Sequence, residues 1–98
     1  MTKQDVINRV STQTKLDPAI SRAVIESFFE VVQESLSEGE PIYIRQFGSF
    51  IIKARAEKLA RNLSQNTTVL VAAHVVPAFK PSLAFVRQVR EREEAVAE

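Results

Sequence analysis

The spacing of apolar positions along this chain changes from helical to alternating and back to helical. Val6, Ile7 and Val10 fall on one face of a helix that Thr2-Lys3-Gln4-Asp5 opens as a capping box, a hydroxyl for the first turn with an acid three residues later. The polar stretch Ser11 to Lys15 ends it. Asp17-Pro18 then starts a second helix, because Asp caps well and Pro fits the first helical position, where no N–H is needed. Glu38-Gly39 closes that helix. Within it, Ile20, Ala23, Val24, Ile25, Phe28, Phe29, Val31, Val32 and Leu36 spread over an arc of roughly 240°, far wider than the stripe of a surface helix. So short a chain has no layer of its own that could cover this arc. The helix is therefore expected to be buried on several sides, against a second copy of itself, with a central helix of a compact monomer as the alternative.

From Pro41 the period drops to two. Pro41-Ile42-Tyr43-Ile44-Arg45 reads as a short strand. Gln46-Phe47-Gly48-Ser49-Phe50 reads as a tight turn, with Gly48 in a backbone region closed to other residues and Phe47 and Phe50 as core plugs. A long β-hairpin follows, with an outgoing limb from Ile51 to about Arg61, a polar reversal through Arg61 to Thr68, and a return limb from about Thr67 to Val76. Lys53-Ala54-Arg55-Ala56-Glu57-Lys58 sets charge beside alanines too small to anchor a core, so residues of about 51–76 should leave the body as an arm exposed on both faces. Pro81-Ser82 caps a last helix with Leu83, Val86 and Val89 on its buried side. The acidic run Glu91 to Glu98 reads as a solvated or frayed terminus. No linker or repeat interrupts the 98 residues, which implies one α+β domain over 1–98.

Charge sharpens the picture of the arm. The net charge is only +1, yet residues 45–80 carry six bases against the single acid Glu57, while residues 1–44 sum to −3 and residues 81–98 to −1. A nearly neutral protein thus contains a strongly polarised segment. The chain has no cysteine, which excludes disulfides, a thiolate nucleophile and a cysteine-based zinc site. Neither a signal peptide nor a bilayer-spanning apolar run is evident, so a soluble intracellular protein with no membrane partner is expected. His74 is the lone histidine, with no acid or base partner at a spacing that makes a site, and no glycine-rich phosphate loop is present. No enzyme, metal or cofactor is expected.

Gln46-Phe47-Gly48-Ser49-Phe50, the basic limb to Arg61-Asn62 and the return through Val76-Pro77-Ala78-Phe79-Lys80 together resemble the bacterial HU and integration host factor family of DNA-bending proteins, over residues 1 to about 90. The resemblance implies an intertwined homodimer, or a heterodimer with a related chain. Its helices would form the base and its β-arms would reach round double-stranded DNA into the minor groove, in the bacterial nucleoid within the cytoplasm. Carried over by position, Lys53, Arg55, Lys58 and Arg61 match groove- and phosphate-contacting bases, Asn62 lies at the arm tip, and Lys80 matches a base that touches the backbone near the body. Lys3 and Glu26 match a pair tying the first helix to the second, and Phe29, Phe47, Phe50 and Phe79 match core aromatics. Leu63 stands where the family usually has an intercalating proline, Asn66 where the tip usually has glycine, and Leu59-Ala60 where it usually has a polar residue and glycine. The return-limb residues Thr67, Thr68 and Leu70 occupy positions that are often basic in relatives. Leucine is itself a minor-groove wedge, a behaviour known from this family and carried over by resemblance.

Four arm bases per chain, doubled in a dimer, would make about eight phosphate contacts and a binding free energy dominated by counterion release. Arginines in a narrow groove read its width and deformability more than base identity, so little sequence preference is expected. The acids Glu26, Glu30 and Glu34 repeat at helical spacing on the second helix, a wet face that would repel DNA and confine it to the arms. The apolar residues of the arm also permit a different function, a protein-docking or DNA-coating module in which exposed strands associate edge to edge with little kinking.

Overall fold

The computed structural model describes residues 1–97, with side chains through Glu93. Helix α1 (Lys3–Thr14) begins with the expected capping box. The Asp5 N–H donates to the Thr2 hydroxyl at 3.3 Å, and the Thr2 N–H donates back to the Asp5 carboxylate at 2.8 Å. That backbone donor, aided by the Thr2 hydroxyl, holds the Asp5 carboxyl below its ordinary value. Asp17 caps helix α2 (Pro18–Ser37) by accepting from the Ala19 N–H at 2.8 Å, with Pro18 in the first turn. The two helices are joined at their polar edge by Lys3–Glu26 at 3.3 Å, the pair expected from the sequence. Both partners are substantially exposed, so this pair orients more than it stabilises.

Three strands form the body sheet in the order β1 (Ile42–Ile44), β2 (Gly48–Arg55), β5 (His74–Pro81), all antiparallel. The turn into β2 occupies Arg45 to Phe47, starting one residue and ending three residues before the Gln46–Phe50 turn expected from the sequence, with Gln46 in the left-handed region at φ 66° and the Phe47 N–H closing onto the Ile44 carbonyl, so Gly48, Ser49 and Phe50 belong to the strand. Gly48 is required for two reasons. Its φ is 154°, and a Cβ there would lie 2.5 Å from the Lys80 carbonyl oxygen. Strand β5 runs through Pro77 to Pro81, beyond the expected end at Val76, because Pro77 pairs with Ile52 and Pro81 with Gly48 at the edge of the sheet. An edge strand tolerates proline, since the missing N–H can face outward.

Alternation divides this sheet. Phe50 and its partner Phe79 face α2, where Phe28 meets Phe50 with centroids 6.3 Å apart, and Phe47, Phe79 and Phe85 complete the aromatic cluster. The last helix, α3 (Leu83–Ala97), is capped by the Ser82 hydroxyl, which accepts from the Phe85 N–H at 3.1 Å. Its helical backbone continues through most of the acidic run expected to be solvated or frayed; Glu98 lies outside the described residues. Leu83 and Val89, expected on its buried side, are largely exposed in the single chain. Among the described side chains of this helix only Phe85 and Val86 are partly covered.

Coverage is thin throughout. Among the described residues only Ile7 and Ser21 are buried to within 2% exposure. Phe28 and Phe29 remain 43% exposed, and Ile20, Val24 and Val31 on the same helix are at least half exposed. The accessible surface is 8375 Å², against about 5,600 Å² for a compact monomer of this mass. The radius of gyration is 18.7 Å, against about 13 Å for a compact chain of this length. Between α2 and β5 an open cleft of about 730 Å³ is lined by Val32, Leu36, Phe50, Ile52 and Phe79.

Candidate nucleic-acid interface

The arm is built in two sections. Beyond Arg55 and before His74 the ladder pauses at Ala56-Glu57 and Ala72-Ala73, then resumes as β3 (Lys58–Asn62) paired with β4 (Thr67–Val71). The hairpin read as continuous from the sequence is therefore jointed. Arg55 opposes His74 and Lys58 opposes Val71, so two residues are skipped on each limb and the register carries through unchanged. Alanines supply little cross-strand contact, which is why the ladder lapses there.

At the tip, Leu63 to Asn66 reverses the chain. Asn66 takes the left-handed conformation at φ 52°, as the sequence led one to expect of a residue standing where glycine is usual. Its Oδ1 accepts from the Arg61 guanidinium at 2.9 Å. The Asn62 Oδ1 accepts from both the Ser64 N–H at 3.1 Å and the Ser64 hydroxyl at 2.7 Å, an Asx turn that shapes the bend. Arg61 and Asn62 thus organise the tip as well as lining it. Leu63, at the first position of the bend, is 81% exposed.

Lys53, Arg55, Lys58, Arg61 and Lys80 are all exposed, and none forms an ion pair among the described residues. Strand alternation places Lys53 and Arg55 on the sheet face turned away from α2, together with Lys80, which pairs with Ser49. Lys58 has the opposite parity from Lys53, Arg55 and Arg61, so the arm offers charge to both sides. His74 pairs with Arg55 on the cationic face and its Nδ1–H donates to the Ala72 carbonyl at 2.8 Å, a local contact at the joint. No cluster of three or more potential metal ligands occurs among the described residues.

Residues that sequence reasoning left out extend this face onto the body. Tyr43 pairs with Ser49, and Ser49 with Lys80, so three side chains able to contact an oxyanion form one row across β1, β2 and β5. Arg45 and Ser82 join them around a shallow cleft. The signal was available, since Tyr43 and Arg45 share the outward parity of the short strand while Ile42 and Ile44 take the inward one.

A thinly covered helical base, a three-stranded sheet and a jointed cationic β-arm together define an α+β fold with a projecting cationic ribbon. Residues 1–90 match the family described as Bacterial DNA-binding protein. The DNA-binding protein HU of Streptococcus thermophilus is 37% identical over 78 residues, covering 80% of this chain and 86% of that protein. The DNA-binding protein HU of Lactococcus lactis is 40% identical over the same shares. Among solved structures, the Anabaena HU–DNA cocrystal structure superposes with a TM-score of 0.84 at 27% identity, covering 91% of this chain and 97% of that one. This chain belongs to the bacterial HU family of DNA-binding proteins.

Proposed function

We propose that this chain is a nucleoid-associated architectural DNA-binding protein, a dimer whose two arms lie along the minor groove of duplex DNA and bend or compact it with little regard for sequence. The observation that carries this reading is the set of exposed, ion-pair-free cations Lys53, Arg55, Lys58 and Arg61 on a projecting ribbon, in a fold shared with a relative solved with DNA. Each phosphate they neutralise releases condensed counterions, and that release favours binding irrespective of sequence. Lys80, with Arg45, Ser49 and Tyr43, would meet the backbone where the arm joins the body. The acids of α2 repel the duplex and keep it on the arm side. Leu63 is the wedge in this reading. It stands free at the tip, and its rotamer freedom, absent in proline, makes insertion costlier and the kink shallower.

The dimer is inferred from the apolar surface that one chain leaves open. Ile20, Val24, Phe28 and Phe29 on α2, with Leu83 and Val89 on α3, are the residues a second copy would cover. A homodimer satisfies that surface with this sequence alone; a related chain could occupy the same face.

A salt series tests the reading. With about eight contacts per dimer, the logarithm of affinity for a random duplex should fall with the logarithm of salt at a slope near −7. A slope equivalent to only one or two contacts would contradict the arm as the binding element.

A further inference from the structure

The arm carries an apolar feature that phosphate neutralisation does not use. Leu59 and Leu70 are directly opposed across β3 and β4, so their side chains share one face of the ribbon. They are 71% and 59% exposed, among the most exposed large apolar residues of the chain. Arg61 and its partner Thr68 lie two residues on, on that same face. Arg55 has the same parity on the body side of the joint, and the register across the joint is unchanged. The acid Glu57 shares that parity within the joint, where the ladder lapses. Along this face the chemistry therefore runs cation, acid at the joint, apolar pair, cation. On the tip side of the joint a matching surface must be apolar beside Leu59 and Leu70 and anionic beside Arg61, and narrow enough for a ribbon two strands wide.

We propose that the Leu59–Leu70 pair packs against the deoxyribose walls of the minor groove and gives the chain its preference for duplex DNA over duplex RNA. This rests on the DNA-binding reading above. The walls of a DNA minor groove are sugar edges flanked by phosphates, so apolar atoms there can be covered by leucine while Arg55 and Arg61 meet the charge. In an A-form RNA duplex the minor groove is wide and shallow and displays 2′-hydroxyls, which a leucine pair would desolvate without replacing their hydrogen bonds. The pair contributes contact area and no charge. Its removal should therefore weaken binding without altering the number of counterions released, unlike removal of a neighbouring arginine.

The test uses the full chain carrying Leu59→Thr and Leu70→Thr together, since threonine keeps strand propensity. Val69→Thr, which alters an apolar residue of the opposite parity on β4, serves as the control. Affinities for one random sequence, as duplex DNA and as duplex RNA, are measured by fluorescence anisotropy across salt, with oligomeric state followed by sedimentation. The double variant is expected to lose about tenfold in DNA affinity, from the apolar area no longer covered, at an unchanged salt slope. Its RNA affinity should stay constant, so the preference for DNA narrows by the same factor, and Val69→Thr should match the parent protein. Equal losses on DNA and RNA, no loss on either, or a loss of self-association in place of DNA affinity would each overturn the proposal. Failure of the unsubstituted protein to bind either duplex would instead sink the function reading itself.

Discussion

The body and the arm answer opposite physical demands. In the body, six phenylalanines and the apolar arc of α2 gather around a sheet face, yet most stay half-exposed because one chain supplies only one side of the layer. In the arm, no cation is ion-paired among the described residues, Arg61 bonding only the Asn66 amide, and no core exists. The body is thus incomplete until apolar surface meets apolar surface, whereas the arm is incomplete until charge meets charge. Two-stranded ribbons are marginal alone, so the arm should gain order only on its partner, while in the proposed dimer the body would gain it from a second copy before any DNA is present.

The largest effect that can separate the two regions is expected in the body. Phe79→Ala removes a ring packed against Phe47 at 5.1 Å and Phe50 at 5.2 Å. It should cost about 3–5 kcal/mol in urea denaturation, enough to unfold a small domain, with the midpoint of the unsubstituted protein rising with protein concentration. An arm substitution of similar size should behave differently. Arg61→Ala should leave the denaturation midpoint in place but reduce the magnitude of the salt slope by about two, one for each arm of the dimer. A shifted midpoint together with an unchanged slope would mean that Arg61 acts through Asn66 on the fold and not on DNA.

The smallest effect is at the start of α1. Thr2→Ala should cost about 1 kcal/mol through loss of the cap, with DNA affinity unchanged in the folded fraction. The Asp5 half of the box carries its own pH signature. Because the folded carboxyl titrates below its ordinary value of 3.8, its contribution is present above that value and disappears as pH falls through the lowered one. Urea midpoints of the parent and Asp5→Asn should therefore differ near neutrality and converge in strong acid.

Much of this contrast was legible in the residues. Capping chemistry at Thr2, Asp17 and Ser82 marked all three helix starts, and the breadth of the apolar arc on α2 signalled a face that one chain leaves open. The arm was visible as alternating charge and alanine, and the family resemblance supplied its orientation toward DNA. What the sequence hid was set by pairing across the sheet. The joint at Ala56-Glu57 and Ala72-Ala73 depends on weak contacts from both limbs at once, and neither limb alone displays it. The Tyr43–Ser49–Lys80 row exists only because three strands bring distant residues into register. Leu83 and Val89 stand exposed in one chain because helical spacing identifies an apolar face without saying which chain covers it.

The most direct test of the arm as a bending limb is the end-to-end distance of a short random duplex, read by energy transfer between dyes at its two ends. The protein and its Leu63→Ala variant are titrated at low and moderate salt. Shortening that is salt-sensitive in the parent and lost in the variant, with binding retained, is the expected result. Binding without any shortening in the parent would contradict bending by the Leu63 wedge and make the protein one that coats or bridges DNA.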